Sequence, residues 1–390
     1  MEIQLKTLTP LWTGGVDGTT DRLHESGLIG SLRWWYEALV RGLGGYACDP
    51  TGEKLEDRCK FGTEAYGKTK KVEDGLAKVC PVCRLFGCTG WKRLFNLQLL
   101  DAPVTPFHLR TSLPINKKWF ERSFGNQEFD VVYGDVKFRL ITRQQDLEFV
   151  YTQMALLFKI MADYGGIGAK QQHGFGQFRL RSLSSELQNY SINDSLAILS
   201  GKINQHPSND TPFNFKNFVS LEYDIPSNKL SVFRNQENHH GSPRKQSEDA
   251  YIPCAFDLRY KGKDPFGFRK WLKEKKSWKE SDHPDQLGDL DKLMGPRSQW
   301  GRNPTKYVKD ELRTASRVFF GMPYQISAQN YRVRVYGFAP PELLKPDELI
   351  QLLAEYMHSV FGVDASKVSK GTVILQKAGG SSCTRTITPH

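Results

Sequence analysis

The sequence predicts an α+β protein built from two halves that repeat one order of elements. Alternation of apolar and polar residues over 2–8 and 95–101 predicts strands, and apolar spacing near 3.6 residues over 27–43 predicts an amphipathic helix. After residue 217 a second strand–helix–strand–strand–helix–strand pattern begins. This is the element order of a ferredoxin-like fold, which the RNA-recognition fold shares. We therefore expect two ferredoxin-like (RRM-like) domains in tandem, with sheet faces available for RNA.

The first domain is predicted to span residues 1–183. Residues 131–142 and 175–183 have the pattern of strands, and residues 146–165 form a strongly apolar helix pattern that ends at a glycine. A cysteine-rich segment at about 45–92 interrupts this domain, and we expect it to be a zinc-binding insertion.

The second domain is predicted to span residues 218–390 and to include a basic helical insertion. It follows a linker at 184–217 that is rich in Ser and Asn and is expected to hold one short helix. Its strands are expected at 218–225, 252–260, 331–339 and 371–377, and its helices at 265–276, 304–313 and 346–362.

The charge of the chain favours a polyanionic partner. The chain has 54 Lys and Arg against 43 Asp and Glu, a net charge of +11 and a pI near 9.2, and nucleic acid is the commonest polyanion. Between Arg259 and Arg317 there are 16 cations and 9 acids, interleaved with Trp271, Trp278 and Trp300. Cations beside flat rings suit phosphates and stacked bases. The alternatives are a solvated helix face with buried tryptophans and an enzyme that is merely basic.

Compartment and partners are constrained by what the sequence lacks. No apolar run reaches the roughly 18 residues that span a bilayer, and the N-terminus has no signal-peptide pattern. We therefore expect a cytoplasmic protein with no membrane partner. Seven cysteines in such a chain argue against a disulfide framework.

Five of the seven cysteines fall between Cys48 and Cys88, in a pattern typical of a structural zinc site. In CPVCRLFGC, the C-x-x-C turn lets Cys80 and Cys83 face one ion, and the proline stiffens that turn. We predict a tetrad of Cys59, Cys80, Cys83 and Cys88, with Cys48 in reserve. Four thiolates leave no open position, so the metal would hold the fold together. Reduced, buried cysteines are the alternative, and a redox motif fits less well because no long helix opens at this C-x-x-C.

The segment 164–178, YGGIGAKQQHGFGQF, contains five glycines, which indicates backbone that comes very close to another group. A dinucleotide fingerprint needs a strand before the glycines and a helix after them, whereas here the helix comes first. The P-loop string G-x-x-x-x-G-K-[ST] does not occur, so the pattern excludes both NAD and ATP sites. The glycines and Lys170 can hold a phosphodiester backbone, or the segment is a tight helix-to-strand connection.

Paired arginines and tryptophans lie on the first predicted helix. Arg33 and Arg41 are eight residues apart and share roughly one face, which suits phosphate contacts. Trp34 and Trp35 diverge by about a quarter turn, so one ring can enter the core. The other ring would face RNA or cover a neighbouring loop.

Candidate catalytic residues are few. The nine histidines are scattered, and no G-x-S-x-G or H-E-x-x-H signature occurs. His24 or His173 could act as the general base in metal-free RNA cleavage. A loop histidine is more often a hydrogen-bonded surface residue, and we expect no enzymatic activity.

Four sequence blocks resemble one known family. They are TPLWTGG at 9–15, LIGSLRWWYEALVRGLGGYACDP at 28–50, CPVCRLFGCTGW at 80–91 and GGIGAKQQHGFG at 165–176. Their order resembles the RAMP superfamily of CRISPR proteins, and the double tryptophan and GGYACDP are similar to the first RAMP subunits of type III-B Cmr effector complexes. The resemblance covers residues 7–182. Beyond 217 it depends on VFFGMPY, similar to the family's G-L-P block with Met322 in the leucine place.

The resemblance implies a non-catalytic RNA-binding subunit of an antiviral defence ribonucleoprotein, located at the crRNA 3′ end and aiding target RNA capture. Its partners would be crRNA, target RNA and other RAMP subunits, with no small-molecule substrate. The alternative is a metal-independent RAMP endoribonuclease that processes crRNA. The family's glycine loop corresponds here to Gly165, Gly166, Gly168, Lys170, Gly174 and Gly176. Many members carry Lys or Arg where this chain has Gln171, Gln172 and His173. The predicted RNA-binding residues are Arg33, Trp34, Arg41, Gly165, Gly166, Gly168, Lys170, Gln171, His173, Gly174, Arg297 and Arg302.

Overall fold

The computed structural model describes most of the chain. It covers residues 1–390 except 16–17, 51–57, 110–123, 125–127, 184–190, 204–212, 234–254, 297–307, 309–311, 313 and 377–390. The predicted RNA-binding residues Arg297 and Arg302 therefore lie outside the described residues, as do Trp300 and most of the predicted helix at 304–313.

The first half forms a four-stranded antiparallel sheet with order β2-β5-β1-β6, and β3 and β4 pair separately with each other. In chain order its elements are β1 (Glu2–Thr7), α1 (Glu25–Gly42), α2 (Thr63–Thr69), α3 (Val72–Leu76), α4 (Pro81–Phe86), β2 (Phe95–Asp101), β3 (Val104–His108), β4 (Glu128–Val132), β5 (Asp135–Thr142), α5 (Leu147–Tyr164) and β6 (Phe178–Leu183). The strand predicted at 131–142 is thus split between β4 and β5.

The second half forms another antiparallel sheet, with order β11-β7-β10-β8 and β9 paired to β10. After α6 (Ile192–Ser200), its elements are β7 (Phe218–Pro226), α7 (Ala255–Tyr260), α8 (Phe268–Lys276), α9 (Asp289–Met294), β8 (Val318–Phe320), β9 (Tyr324–Gln325), β10 (Asn330–Phe338), α10 (Pro346–Phe361), β11 (Lys367–Lys370) and α11 (Gly371–Gln376). The α+β prediction is confirmed at the level of antiparallel sheets covered by helices. None of the described helices combines the length and apolarity that crossing a membrane requires.

Helices α1 and α5 form one layer that both sheets share. On one side they cover the first sheet, where Phe158 of α5 contacts Phe138 and Phe178. On the other side the Trp35 ring of α1 lies 5.6 Å from the Phe218 ring of β7, measured between centroids. The second sheet is consequently buried on both faces, as the nearly continuous burial of β7 indicates. The first sheet keeps an open outer face, because β5 alternates exposed and buried residues.

The shared layer changes the expectation for α1. The sequence predicts an amphipathic helix with one buried stripe, yet every residue from Trp35 to Gly42 is buried. A helix between two sheets has no solvent-facing side over that length, so its polar residues must find partners inside the protein.

An ion pair ties the second sheet to the end of α5. Arg334 on β10 places Nη2 2.8 Å from Oε1 of Glu222 on β7, and both side chains are buried. Nη1 of Arg334 donates to the carbonyl oxygens of Ala162 and Gly165, at 2.8 and 3.2 Å. These carbonyls belong to the C-terminal end of α5, whose partial negative charge favours a cation.

Two predicted strands are helices. Residues 255–260 of the predicted strand at 252–260 form α7, and the predicted strand at 371–377 begins as α11. Both are short apolar runs, a length at which strand and helix patterns cannot be told apart. The last strand is β11 instead, which pairs with β7. The turn of α11 carries Ile374 and Leu375 into the core of the first half.

The segment predicted as a linker holds α6, the expected short helix. This helix packs against α5, with Gln153 Nε2 donating to the Ser195 carbonyl oxygen at 3.3 Å. Leu196 and Leu199 of α6 are fully buried. At least this part of the segment therefore contributes to the core of the first half.

Removing the arginine of the junction should be costly. Arg334→Ala removes the nearest cation of the buried Glu222 carboxylate and leaves it only Arg332, whose Nη1 lies 3.3 Å from Oε2, so the free energy of unfolding should fall by about 3 kcal/mol in urea titrations. Arg139→Ala is the control, because it removes an exposed pair, 2.9 Å from Glu2, that is expected to contribute less than about 1 kcal/mol. Equal losses in the two variants would contradict the role assigned to Arg334.

Candidate cysteine cluster and RNA interface

The CPVC turn opens helix α4 and supplies two members of a cysteine cluster. Cys80 is the N-cap of α4, its Sγ accepts a hydrogen bond from the Cys83 backbone N–H at 3.4 Å, and Pro81 follows within the first turn. Cys48 and Cys59 approach from the preceding chain. The four sulfur atoms all lie within 4.8 Å of one another.

The cluster contains Cys48, the predicted reserve, in place of Cys88. Cys48 Sγ lies 3.4 Å from Cys83 Sγ, whereas Cys88 stands outside the group of four. Cys88 belongs to a small two-way backbone bridge with Trp91. The sequence contains all five cysteines, but spacing alone does not separate the fourth ligand from the spare.

The four sulfurs fit one zinc ion. A Zn–S bond near 2.3 Å in a tetrahedron places the sulfurs roughly 3.8 Å apart. Cys48 Sγ lies 3.4 Å from Cys83 Sγ and 3.9 Å from Cys80 Sγ. The hydrogen bond with Cys59, followed by those with Cys80 and Cys83, lowers the pKa of Cys48, and the contacts with Cys48 raise the pKa of the other three thiols. The cluster is thus compatible with a closed, structural zinc site.

Arg33 braces this cluster instead of pointing to solvent. Its Nη2 donates to Cys83 Sγ at 3.2 Å, its Nη1 donates to the Gly87 carbonyl oxygen at 3.2 Å, and its Nε donates to Glu37 at 2.9 Å. A guanidinium at this distance offsets negative charge on the sulfurs.

Arg41 belongs to the predicted RNA-binding set, and RNA contact by its side chain would require it to leave internal partners. Its side chain is buried, with Nη2 donating to the Ala47 carbonyl oxygen at 3.2 Å and lying 3.5 Å from Glu37. A phosphate has no access to a buried guanidinium. The face of α1 that Arg33 and Arg41 share is directed at the cysteine segment, where Arg33 contacts Cys83 and Arg41 contacts Ala47.

The glycine-rich segment meets the protein itself. The Trp35 Nε1 donates to the Gly166 carbonyl oxygen at 3.0 Å, and a Cβ on Gly165 would come within 2.2 Å of the Trp35 ring. Gly174 has φ +90° and would place a Cβ 2.7 Å from the backbone nitrogen of Met322. Met322 donates its N–H to the Gly174 carbonyl oxygen at 3.2 Å. The close neighbour that Gly165 admits is therefore Trp35, and the close neighbour that Gly174 admits is the VFFGMPY block of the second half.

The polar residues of this segment also make internal contacts. Gln171 uses both ends of its amide, because Nε2 donates to the Ser31 hydroxyl at 3.2 Å and Oε1 accepts from the Tyr336 hydroxyl at 2.8 Å. The His173 ring stacks on Phe256 at 4.5 Å, and burial lowers the pKa of His173 well below its ordinary value. RNA contact by Gln171 and His173 stays a prediction, and each would have to give up one of these contacts.

Lys170 is the cation of the segment that lies nearest to solvent. It adopts a left-handed backbone conformation, φ 56°, and is half-buried. Its Nζ lies 4.3 Å from the Trp12 ring centroid and 4.7 Å from that of Phe124, a cation–π arrangement. Burial lowers the pKa of Lys170. The side chain is thus held above two rings, with only part of it open to solvent.

Trp34 lies at the junction of the halves. Its ring centroid is 5.6 Å from that of Phe338 and 5.1 Å from that of Phe213, both in edge-to-face contact. The ring is half-buried, so its packing resembles the loop-covering alternative more than base stacking.

The basic stretch from Arg259 to Arg317 divides by residue type. Arg269 is buried with Nη2 2.7 Å from Asp291, and Arg317 pairs with Glu342 at 2.9 Å. Trp271 is buried in the core of the second half, and Trp278 packs against that core. The arginines and tryptophans described here are therefore structural, and the cations left at the surface of α8 are lysines such as Lys273 and Lys275.

The open face of the first sheet carries cations that the sequence analysis did not single out. The register places Lys6 of β1 opposite Arg179 of β6, and Lys137 of β5 lies on the same face. Lys137 and Arg179 are exposed, and neither forms an ion pair within the described part of the chain. The alternation in DVKFRLIT and FRLRSL is the signal that could have located them.

Two further arginines on this face are paired. Arg139 lies 2.9 Å from Glu2, and Arg181 lies 3.3 Å from Asp135. Exposed pairs of this kind contribute little to stability and exchange readily with other anions. The face as a whole is polar and basic.

Zinc content should distinguish the two tetrads. The purified chain is expected to hold one zinc ion, Cys48→Ser should lose it, and Cys88→Ser should keep it, as measured by mass spectrometry of the metal after gel filtration. Retention in Cys48→Ser with loss in Cys88→Ser would restore the tetrad predicted from the sequence.

A single methyl group should test the junction at the glycine segment. Gly174→Ala combines a strained φ with overlap on Met322, so the free energy of unfolding should fall by about 1–3 kcal/mol in thermal or urea melts. Gly30→Ala is the matched control: Gly30 is exposed on α1 with open space around it, and this change should stabilise by about 0.5–1 kcal/mol. A tolerated Gly174→Ala would mean that the two halves do not meet there.

Comparison with solved structures returns distant relatives. The apo crystal structure of Cmr1 from Pyrococcus furiosus aligns at 15% identity and a TM-score of 0.36, over 87% of each chain. The cryo-EM structure of the Type III-B Cmr-beta bound to cognate target RNA aligns at 11% identity and a TM-score of 0.39, over 92% of this chain and 99% of that one. The same complex with target RNA and AMPPnP, in the presence of ssDNA, aligns at 12% and 0.43 with the same coverage.

The assignment depends on the family model and not on these structures, whose TM-scores are below 0.5. No curated protein matches the sequence. The model of the RAMP superfamily matches residues 4–179, a region that includes both the cysteine cluster and the glycine-rich segment. Over residues 4–179, about 45% of its length, this chain is therefore similar to the RAMP superfamily.

Proposed function

We propose that the chain is a non-catalytic RNA-binding subunit of a type III-B CRISPR ribonucleoprotein effector complex, located at the crRNA 3′ end and aiding the capture of target RNA. The match of residues 4–179 to the RAMP superfamily model supports the general class. The motif resemblance of the double tryptophan and GGYACDP supports the particular subunit. Its partners are then crRNA, target RNA and other RAMP subunits in the cytoplasm.

We propose that residues 1–183 and 218–390 are tandem ferredoxin-like domains. The support is the strand order. The four main strands of each half are numbered here in chain order, without β3, β4 and β9. Both sheets then have the order 4-1-3-2, with helices after the first and third strands. The zinc-binding insertion, at about 45–92, belongs to the first of these domains and is structural.

The open face of the first sheet is the observation that carries RNA binding. Lys6, Lys137 and Arg179 lie on it, and no layer of the described structure covers it. Such a face is the surface that RNA-recognition folds use, although here it offers cations without exposed aromatic rings. Phosphate contacts are thus the expected mode, in keeping with a net charge of +11. Backbone binding without base stacking suits a subunit that takes its sequence information from a guide RNA.

The endoribonuclease alternative has one geometric feature in its favour. His24 Nε2 lies 2.7 Å from Asp21 Oδ1, the kind of carboxylate partner that orients a general base. His173 fits less well, because it is stacked on Phe256 and its Nδ1 is buried. We assign no catalytic residue to this chain.

RNA affinity should depend on the open face and on salt. Lys137→Glu combined with Arg179→Glu should weaken binding of single-stranded RNA by roughly tenfold or more, because two phosphate contacts are lost. Each lost contact should also lower the slope of log affinity against log salt by about 0.7. Lys216→Glu with Lys345→Glu is the control, since it makes the same change of charge on exposed residues of the linker and the second half. Fluorescence anisotropy of the purified chain measures both. A salt-independent affinity would contradict the electrostatic basis.

A cleavage assay distinguishes the RNA-binding subunit from the endoribonuclease. Repeat RNA incubated with the chain in EDTA should remain intact on a denaturing gel. Specific cleavage that disappears in His24→Ala or His173→Ala would contradict the function as a non-catalytic binding subunit and support the endoribonuclease.

A further inference from the structure

The cysteine cluster closes a loop that contributes little to either core. Cys59 and Cys80 both belong to the cluster, so the residues between them, 60–79, form a loop closed at its base. We call these residues the lysine loop. It contains α2 and α3, and α2 has no buried residue. A helix of seven residues is marginal on its own, so the closed base and the contact with α3 hold it in place.

The surface of the lysine loop is rich in cations without acidic partners. Its exposed lysines are Lys60, Lys68, Lys70, Lys71 and Lys78. None of them forms an ion pair within the described residues. The loop also holds the carboxylates of Glu64, Glu73 and Asp74, two of which lie in the first turn of α3. The cations outnumber them.

The chain turn between α2 and α3 gathers three of these lysines. Lys70 has a left-handed backbone, φ 59°, which ends α2 and reverses the chain. Lys68 lies in the last turn of α2, and Lys71 is the N-cap of α3. Three cations within four positions on an exposed turn set up a local positive potential.

Aromatic rings lie beside these cations. The Tyr66 side chain on α2 is 38% exposed, and its ring centroid lies 5.7 Å from that of Phe61. Phe61 stacks on Trp91 with 5.6 Å between centroids and 14° between planes. Lys70 Nζ lies 5.9 Å from the Tyr66 ring centroid. An exposed ring that packs on Phe61, which is itself stacked on Trp91, keeps its orientation when a flat group stacks on it.

We propose that the lysine loop is a second binding surface, for single-stranded RNA, with Tyr66 as the stacking ring and Lys68, Lys70 and Lys71 as phosphate contacts. Exposed rings among cations are the arrangement that takes unpaired bases together with their backbone. A duplex has its bases stacked inside and offers no face to Tyr66. The surface shares no residue with the open face of the first sheet, so each can be tested without the other.

The first experiment changes the lysines. Fluorescence anisotropy compares the full chain with Lys68→Ala/Lys71→Ala on a labelled single-stranded RNA over a salt series. The slope of log affinity against log salt should fall by roughly 1.4, from two contacts of about 0.7 each. Lys216→Ala/Lys345→Ala, with the same change of charge in the linker and the second half, should leave the slope unchanged. Zinc content and circular dichroism of each variant report whether the loop is still folded.

The second experiment changes the ring. Tyr66→Phe keeps the aromatic face and should bind within about twofold of the parent, whereas Tyr66→Leu should bind roughly tenfold more weakly. A 4-thiouridine-substituted RNA should crosslink to a peptide that contains Tyr66. An annealed duplex of the same sequence should be insensitive to the Tyr66 substitution.

Two outcomes would overturn the proposal. One is equal affinity and equal salt slope for the parent and the lysine variant, with the parent binding RNA; the positive loop would then suit an acidic protein partner instead. The other is equal loss in Tyr66→Phe and Tyr66→Leu, which would remove stacking. Failure of the parent chain to bind RNA at all would count against the proposed function itself, so the two failures are distinguishable.

Discussion

The position of the Trp35 ring is the constraint on which the rest of the architecture depends. The ring is fully buried between the halves and donates its N–H to the Gly166 carbonyl oxygen. The backbone at Gly165 can come this close only because it carries no side chain. The same close approach brings Gly174 against Met322 and seats the second sheet on α1 and α5. A large indole on one element thus requires missing side chains on the facing one, and the density of glycine follows without a ligand.

The positive charge of the chain lies in two places, on buried arginines and on exposed lysines. Buried arginines such as Arg269 and Arg334 each make several directed hydrogen bonds to carbonyls or carboxylates. The planar guanidinium can meet several acceptors at once, whereas an ammonium group is more strongly hydrated and stays at the surface. Lysines such as Lys68 and Lys137 accordingly stay exposed. Of the cations that make up the net charge of +11, the exposed lysines are therefore more available to a polyanion than the buried arginines.

Much of the fold could be predicted from the sequence, because long periodic segments such as α5 and α10 have one reading only. The short apolar runs that became α7 and α11 could not, since their state depends on which core they meet. For the cluster, the C-x-x-C turn identified Cys80 and Cys83, but choosing Cys48 over Cys88 depends on the path of the intervening chain. Arg41 was assigned to solvent because the second sheet, which encloses α1, is remote in sequence.

The shared helical layer also bears on how the protein folds. Neither half is closed by its own residues: without β7 and β10, the rings of Trp34 and Trp35 would meet water, and without α1 the inner face of the second sheet would do so. The pattern of strands and helices in the sequence divides at the segment around α6, but the packing contacts that stabilise the two halves do not divide there. We therefore expect the two sheets to unfold as one cooperative unit. A half that uses the other half's helices as its second wall has no complete core of its own with which to stay folded alone.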